Sequence, residues 1–216
     1  MAGWCYFLFS LFALPLAIGL VSALLHIDLS VSVLNILYFV INFLCIVGIC
    51  HKFLWASAKA AAESLWRCLR FALMGFAFYY AGMLLISQGI LLIKPDFANI
   101  NDAAISDMAD ENFRYIAIAT VWLVPVTEEL FHRGLVFQGL HGKNRLLAYG
   151  VSCLVFAVIH VIGYVGLYDW QTLLLCLVQY LPAGIALAWA YEKADNIFAP
   201  ILMHITINQI GIAAMR

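Results

Sequence analysis

Apolar residues run in blocks of about twenty along this chain, and short polar stretches punctuate them. A helix that crosses a bilayer needs about 20 mostly apolar residues, and by that measure the pattern predicts about seven spans. The first covers roughly residues 4–25 and the second residues 31–50, joined by a polar turn at 26–30. Between 52 and 70, Trp55, Leu65, Trp66 and Leu69 alternate with Lys59, Glu63, Arg67 and Arg70. That mixture predicts a helix lying in the membrane interface, its aromatics at headgroup depth. The third span is placed at 71–93, followed by a polar loop at 94–112 that holds five acidic residues. Spans four to seven are placed at 117–140, 146–165, 171–191 and 197–214. Asp195 and Asn196 suit the start of the seventh, and Pro200 falls in its first turn, where a missing N–H does least harm.

The expected fold is therefore all-α, a polytopic transmembrane bundle with an interfacial helix. Residues 1–116 read as scaffold helices and an external loop, and residues 117–216 as the chemical core of one integrated membrane domain. No linker, internal repeat or low-complexity tract interrupts it. The N-terminus lacks a charged region and a small-residue cleavage site, so it is expected to be a retained helix. Lys52, Lys59, Arg67, Arg70, Lys143, Arg145 and Lys193 fall on one side of the membrane, with Arg133 in the inner half of span four. Only Lys94, Arg114 and Arg216 fall on the other. The excess of positive charge inside predicts a cytoplasmic N-terminus and an external acidic loop.

Composition strengthens this picture. The chain is 66% hydrophobic and 11% charged, against about 45–50% and about 25% in soluble domains. A net charge of −1 offers nothing to nucleic acid. The six cysteines form no Cys-x-x-Cys pair and mostly sit in apolar runs, where cysteine acts as a small hydrophobe.

Against that background residues 124–134, Val-Pro-Val-Thr-Glu-Glu-Leu-Phe-His-Arg-Gly, stand out. Glu128, Glu129, His132 and Arg133 are ionisable groups in an apolar span, and such groups face a protein interior or a water-filled cavity. Glu129 and Arg133 are spaced i, i+4 with the carboxylate first, which favours a structural pair. Glu128 is left without a local partner, so its charge must be met from another helix or by water. Span five supplies Phe156 and His160, and span seven supplies His204 and Asn208, each pair again i, i+4 on one helix face. At 1.5 Å per residue, Glu128, His160 and His204 lie ~18, ~21 and ~12 Å from the inner ends of their spans. Tilt and uncertain helix ends allow the three to meet at one depth. A lone helical histidine is more often a satisfied core residue than a catalyst, and His132, His141 and His26, near helix ends or loops, are read that way. Phe156 reads as a packing residue that fixes the rotamer of His160.

The order Glu-Glu-x-x-x-Arg, Phe-x-x-x-His, His-x-x-x-Asn, each in its own apolar span, resembles the CAAX protease and bacteriocin-processing family, relatives of the type II CAAX prenyl endopeptidases. The resemblance covers about residues 121–211. The small residues of span six, Ala183, Gly184 and Ala188, fit that family's tightly packed helix before the last motif. It implies an intramembrane endopeptidase in which Glu128 is the general base, His160 its partner in activating water, and His204 and Asn208 the oxyanion donors. Glu129 and Arg133 match the remaining motif positions. Hydrolysis of a peptide needs these two functions, a base for water and donors where negative charge develops. No cofactor is expected. Zinc is the minority alternative, because Glu-Glu-Leu-Phe-His resembles His-Glu-x-x-His with its first histidine replaced, and Glu128, His132, His160 and His204 could surround it. Expected partners are the bilayer and a membrane protein or peptide substrate, in a bacterial plasma membrane. The competing reading is a non-proteolytic immunity or scaffold protein in which the polar cluster only holds helices together.

Overall fold

The computed structural model describes residues 2–215; Arg216, placed outside by the charge argument, lies outside the described residues. Helices α1 (Ala2–Leu24), α2 (Val31–Glu63), α3 (Leu65–Ile93) and α4 (Ile100–Ile118) make up the first half. A continuous rod follows, built from a π-helical turn π1 (Ala119–Leu123), α5 (Val124–Glu129), a second π-helical stretch π2 (Leu130–Phe137) and α6 (Gln138–His141). Helices α7 (Arg145–Ile162), α8 (Trp170–Ala194) and α9 (Phe198–Ala214) complete an all-α bundle. Among the described residues the only β-type pairing is one isolated bridge, Val165 to Tyr168. Five helices, α1, α2, α3, α7 and α8, are long and apolar enough to cross a membrane, and α9 is a shorter apolar helix. The protein is an integral membrane helical bundle.

Two expectations need correction. The stretch 52–70 is not a separate interfacial helix. It is the last turns of α2 and the first of α3, broken at Ser64, whose N–H still bonds back to Ala60 and Ala61 carbonyls. Mixed polarity there marks two long helices emerging from the apolar zone, with Trp55 and Trp66 exposed. The polar segment 94–112 is not a loop after its first residues but mostly helix α4, capped by Asn99, whose Oδ1 accepts from the N–H groups of Asn101 and Asp102. Acidic composition hid the helix, and a kink at Asn112 (φ −140°, ψ 54°) bends it into the rod.

Helix ends follow their side chains. Ser30, Asn144 and Asp169 cap α2, α7 and α8 by accepting from N–H groups one turn in. Asn196 Oδ1 accepts from Phe198 N–H at the start of α9 (2.9 Å) and its Nδ2 donates to the Ser57 carbonyl (2.8 Å), tying the turn to α2. Asp195 does a different job from the capping expected of it. It closes α8 in a left-handed conformation, φ 53°.

The core is centred on α8, which packs against α3 on one side and α7 on the other. Gly184 makes the second contact possible. A Cβ there would lie 3.1 Å from the Cys153 Cα, so any larger residue would push α7 away. Ala183 and Ala188 are buried in the same helix. Polar ties sit near both ends of α8, about 30 Å apart at 1.5 Å per residue from Thr172 to Glu192. At its start Lys94 donates to Thr172 Oγ1 (2.7 Å). At its end Glu192 accepts from Arg145, His141 and Tyr149, and Arg67 donates twice to the Lys193 carbonyl. Between these belts the outward faces are Leu, Ile and Phe, as with Leu73, Leu85 and Leu92 of α3.

Candidate active site

Pro125 explains the local helix geometry that positions the site. Its missing N–H leaves the Val121 carbonyl without an α-helical partner, and the turn before it, Ala119–Leu123, is widened to π. π-turns inside α-helices gather at functional sites, and here two of them flank Glu128 and Glu129.

Glu129 is fully buried. Its Oε2 lies 3.2 Å from Arg133 Nε, and its Oε1 accepts from Arg133 Nη1 (3.3 Å) and from His204 Nδ1 (2.8 Å). Arg133, also fully buried, donates through Nη2 to the Gly184 carbonyl (3.0 Å), and its guanidinium lies 4.9 Å from the centre of the Phe156 ring. The Nε contact is a charge pair outside hydrogen-bond alignment. One carboxylate thus joins the rod to α9, and one guanidinium joins the rod to α8.

Glu128 points at the other two histidine faces. Its Oε2 is 3.8 Å from His160 Nε2 and 3.9 Å from His204 Nε2, with its side chain 19% exposed. Tautomers follow from the far side of each ring. His160 Nδ1 donates to the Phe156 carbonyl (2.7 Å) and His204 Nδ1 to Glu129, so the neutral rings present lone pairs at Nε2. Three acceptors then converge without a direct hydrogen bond, and Glu128 Oε2 has no protein partner. A water has two hydrogens, which match the need of Oε2 and one imidazole once the side chains part to admit it.

Phe156 does more than pack beside His160. Its ring also meets those of His132 (5.2 Å between centres) and His204 (5.9 Å) edge-on. Asn208 donates through Nδ2 to the Thr120 carbonyl (2.8 Å), an oxygen inside the π-turn. The structure therefore gathers Glu128, His160 and His204, sets Glu129, Arg133 and Phe156 around them, and ties Asn208 to the rod one turn further along α9.

Sequence reasoning missed one neighbour of these residues and misread two others. Tyr180 of α8 stacks on His160, ring centres 4.2 Å apart, with its hydroxyl donating to Asn99 Oδ1. No periodicity marks a tyrosine as the neighbour of a histidine on another helix. Glu129, expected only to neutralise Arg133, also orients His204. His132 is not near a helix end, as expected. It is fully buried in the middle of π2, because the rod runs on beyond it. Among the described residues no group of three or more His, Cys, Asp or Glu side chains is arranged to hold a metal ion, and His132 Nδ1 is held at the Glu128 carbonyl.

These features define a class: a polytopic helical membrane protein in which Glu128, His160 and His204 are gathered from three helices. Residues 110–210 match the family described as type II CAAX prenyl endopeptidase Rce1-like, so the Rce1-like pattern holds for the region that carries the site. The UPF0177 protein YxdF of Lactococcus lactis subsp. lactis (strain IL1403) is 28% identical over 94 residues, 44% of this chain and 46% of that protein. The alignment spans about half the length of this curated relative. No solved structure matches.

Proposed function

We propose that this protein is an intramembrane endopeptidase that hydrolyses a peptide bond near a membrane-embedded or lipidated segment, using water activated by Glu128. The observation that carries the reading is the meeting of Glu128 Oε2 with the Nε2 atoms of His160 and His204 at 3.8 and 3.9 Å. Glu128 takes one proton from water held between it and His160, and the oxygen attacks the scissile carbonyl. The proton then passes to the leaving amine nitrogen. One N–H of Asn208 is used on Thr120, and the second is available to the oxyanion. His204 becomes a donor to that oxyanion only after taking a proton from solvent at Nε2 before the reaction, and Glu129 at its far nitrogen supports that charge. No metal enters this scheme. The protein would lie in a bacterial plasma membrane with its N-terminus in the cytoplasm.

A second reading is a non-proteolytic immunity or scaffold protein. The observation in its favour is that Glu129, Arg133, His204 and Asn208 all bond within or between helices. The deciding experiment compares wild type with Glu128→Ala on a panel of tagged membrane peptides and follows the appearance of a fragment. Cleavage by wild type alone supports the protease. No cleavage by wild type, with Glu128→Ala folding as stably as wild type, supports the scaffold.

A further inference from the structure

His160 needs more than its own backbone to hold it against Glu128. Its Nδ1 donates to the Phe156 carbonyl one turn earlier (2.7 Å), and a single hydrogen bond tolerates a wide range of tilt before it weakens. Its Nε2 lies 3.8 Å from Glu128 Oε2, too far for a hydrogen bond that would fix it. The ring is therefore set by what packs on it. Phe156 and Tyr180 do so, their ring centres 4.6 Å and 4.2 Å from that of His160 and 6.4 Å from each other. Those distances put the imidazole in a near-right-angled corner. The two walls differ in origin. Phe156 rides on α7 with His160, whereas Tyr180 belongs to α8, and its ring lies within 28° of parallel to the imidazole.

Tyr180 is itself held from a third helix. Its hydroxyl donates to Asn99 Oδ1 (3.2 Å). The same oxygen accepts from the N–H groups of Asn101 (2.9 Å) and Asp102 (3.2 Å) and so caps α4. Asn99 Nδ2 donates to Oε1 of Gln179 (2.7 Å), the residue before Tyr180. One amide side chain thus grips two adjacent side chains of α8 while closing the first turn of α4, and those partners fix which of its atoms donates and which accepts. The tyrosine also packs against the cluster formed by Ile100, Val161, Leu173 and Cys176. The segment ahead of α4 is pinned at its other end as well, where Lys94 donates to Thr172.

We infer that Tyr180 is a positioning residue for the proposed reaction: its ring sets the plane of His160, and the cap of α4 sets the ring of Tyr180. The contribution to turnover rests on Glu128 and His160 acting on water as proposed above; the positioning itself does not. Tyr180 acts through His160 and moves no proton, because its hydroxyl hydrogen is engaged by Asn99. A stacked ring resists tilt of the imidazole and leaves the edge that carries Nε2 uncovered. A misplacement of about 1 Å at a reacting group can cost about 10²-fold in rate, so a wall that limits tilt bears directly on turnover. The linkage also gives the polar segment ahead of α4 a part in the site, since whatever moves the cap moves the wall beside His160.

The test uses the full-length protein in nanodiscs with isotope-labelled histidine, the His160 signals being identified by their loss in His160→Gln. In wild type the face of Tyr180 should shift the ring protons of His160 upfield. Three variants separate the parts. Tyr180→Phe keeps the face and loses the tether, Tyr180→Leu loses the face, and Asn99→Ala loses the anchor without changing a residue of α8. Tyr180→Leu should erase the upfield shift while the His132 signals stay in place, Tyr180→Phe should retain most of it, and Asn99→Ala should fall between. For a peptide cleaved by wild type, Tyr180→Leu should lower kcat about tenfold, with KM within about twofold. Tenfold corresponds to ~1.4 kcal/mol, in the upper part of the range for an aromatic pair. Tyr180→Phe should bring kcat back to within about threefold of wild type, the lower end for one lost hydrogen bond. His160 signals unmoved in both Tyr180→Leu and Asn99→Ala overturn the inference, as does unchanged kcat in Tyr180→Leu. A loss confined to KM also overturns it and assigns Tyr180 to the substrate instead. Should Tyr180→Leu fail to fold, Asn99→Ala decides alone by whether the His160 signals move. If wild type cleaves nothing, the endopeptidase reading falls, and the spectra still decide whether Tyr180 positions His160.

Discussion

Replacing Glu129 by glutamine should unfold the bundle more readily and silence the site for a different reason. The carboxylate is fully buried and faces three cationic or donating nitrogens, Arg133 Nε and Nη1 and His204 Nδ1, within 2.8–3.3 Å. Removing one partner of a buried pair costs about 3–5 kcal/mol, because the other charge is left uncompensated. The glutamine oxygen can still accept from His204 or Arg133, which places Glu129→Gln near the lower end. Arg133→Met should fall near the upper end, since it also removes the donor to the Gly184 carbonyl and the contact with Phe156. The double variant has no orphaned charge and should recover about 2 kcal/mol of the summed losses, within the usual range for residues in contact. Unfolding in mixed detergent and SDS, followed through the six tryptophans, measures all four proteins. Activity should behave otherwise. The double variant regains stability but not turnover, because the carboxylate that orients His204 is still missing. Additive losses, or single variants as stable as wild type, would refute the charge-pair reasoning. A double variant with restored turnover would remove Glu129 from the orientation of His204.

Other outcomes follow from the same geometry. Glu128→Ala should abolish cleavage, and Glu128→Asp should not restore it, because one methylene fewer draws the carboxylate back from both imidazoles; a fragment assay on the tagged peptides measures this. Asn208→Ala should bind substrate normally and lower kcat by about 10²–10³, the usual cost of one oxyanion donor, as read by steady-state kinetics. A strong chelator should leave activity within about twofold; loss that added zinc reverses would move the mechanism to a metal. At the start of α8, hydrogen bonds from Thr172 hold the Asp169 carboxyl below its ordinary value, with Lys94 assisting. Its cap is therefore at full strength above the ordinary carboxylate range and weakens as pH falls through the lowered value. Amide exchange of the first turn of α8 should quicken in that acid window, and Asp169→Asn should flatten the dependence.

The spans were legible wherever apolar length alone decides, as with α1, α7 and α9, because lipid imposes one rule on every residue of the run. That rule fails at the ends. Trp55, Lys59, Trp66 and Arg70 have the composition of an interfacial helix whether they lie along the membrane or extend two long helices out of it. Polar α4 was hidden for the opposite reason, since its acidic residues carry no apolar periodicity strong enough to announce a helix. Within the site, the i, i+4 pairs showed which side chains share a face. They could not show which helix each face meets, so the bond from Glu129 to His204 and the stacking of Tyr180 on His160 went unseen. His132 was read as peripheral although the expected span ran past it to residue 140, because its burial depends on Phe7 and Phe156 from other helices.

Those widened turns carry a consequence for how this chain tolerates change in length. In an ordinary α-helix each residue advances the direction of the side chains by about 100°, whereas a π-turn absorbs one additional residue within the rod. Deleting a residue between Ala119 and Leu123 would bring the turn close to α geometry with little loss of backbone bonding, so the helix itself would survive. The Thr120 carbonyl that holds Asn208 lies in that turn, and Glu128 and Glu129 lie just beyond it. Because the turn had absorbed that residue, the two carboxylates would keep nearly their present bearings, whereas the Thr120 carbonyl would take the N–H four residues on and loosen its hold on Asn208. Removing one residue here should therefore weaken the tie between the rod and α9 before it displaces the carboxylates.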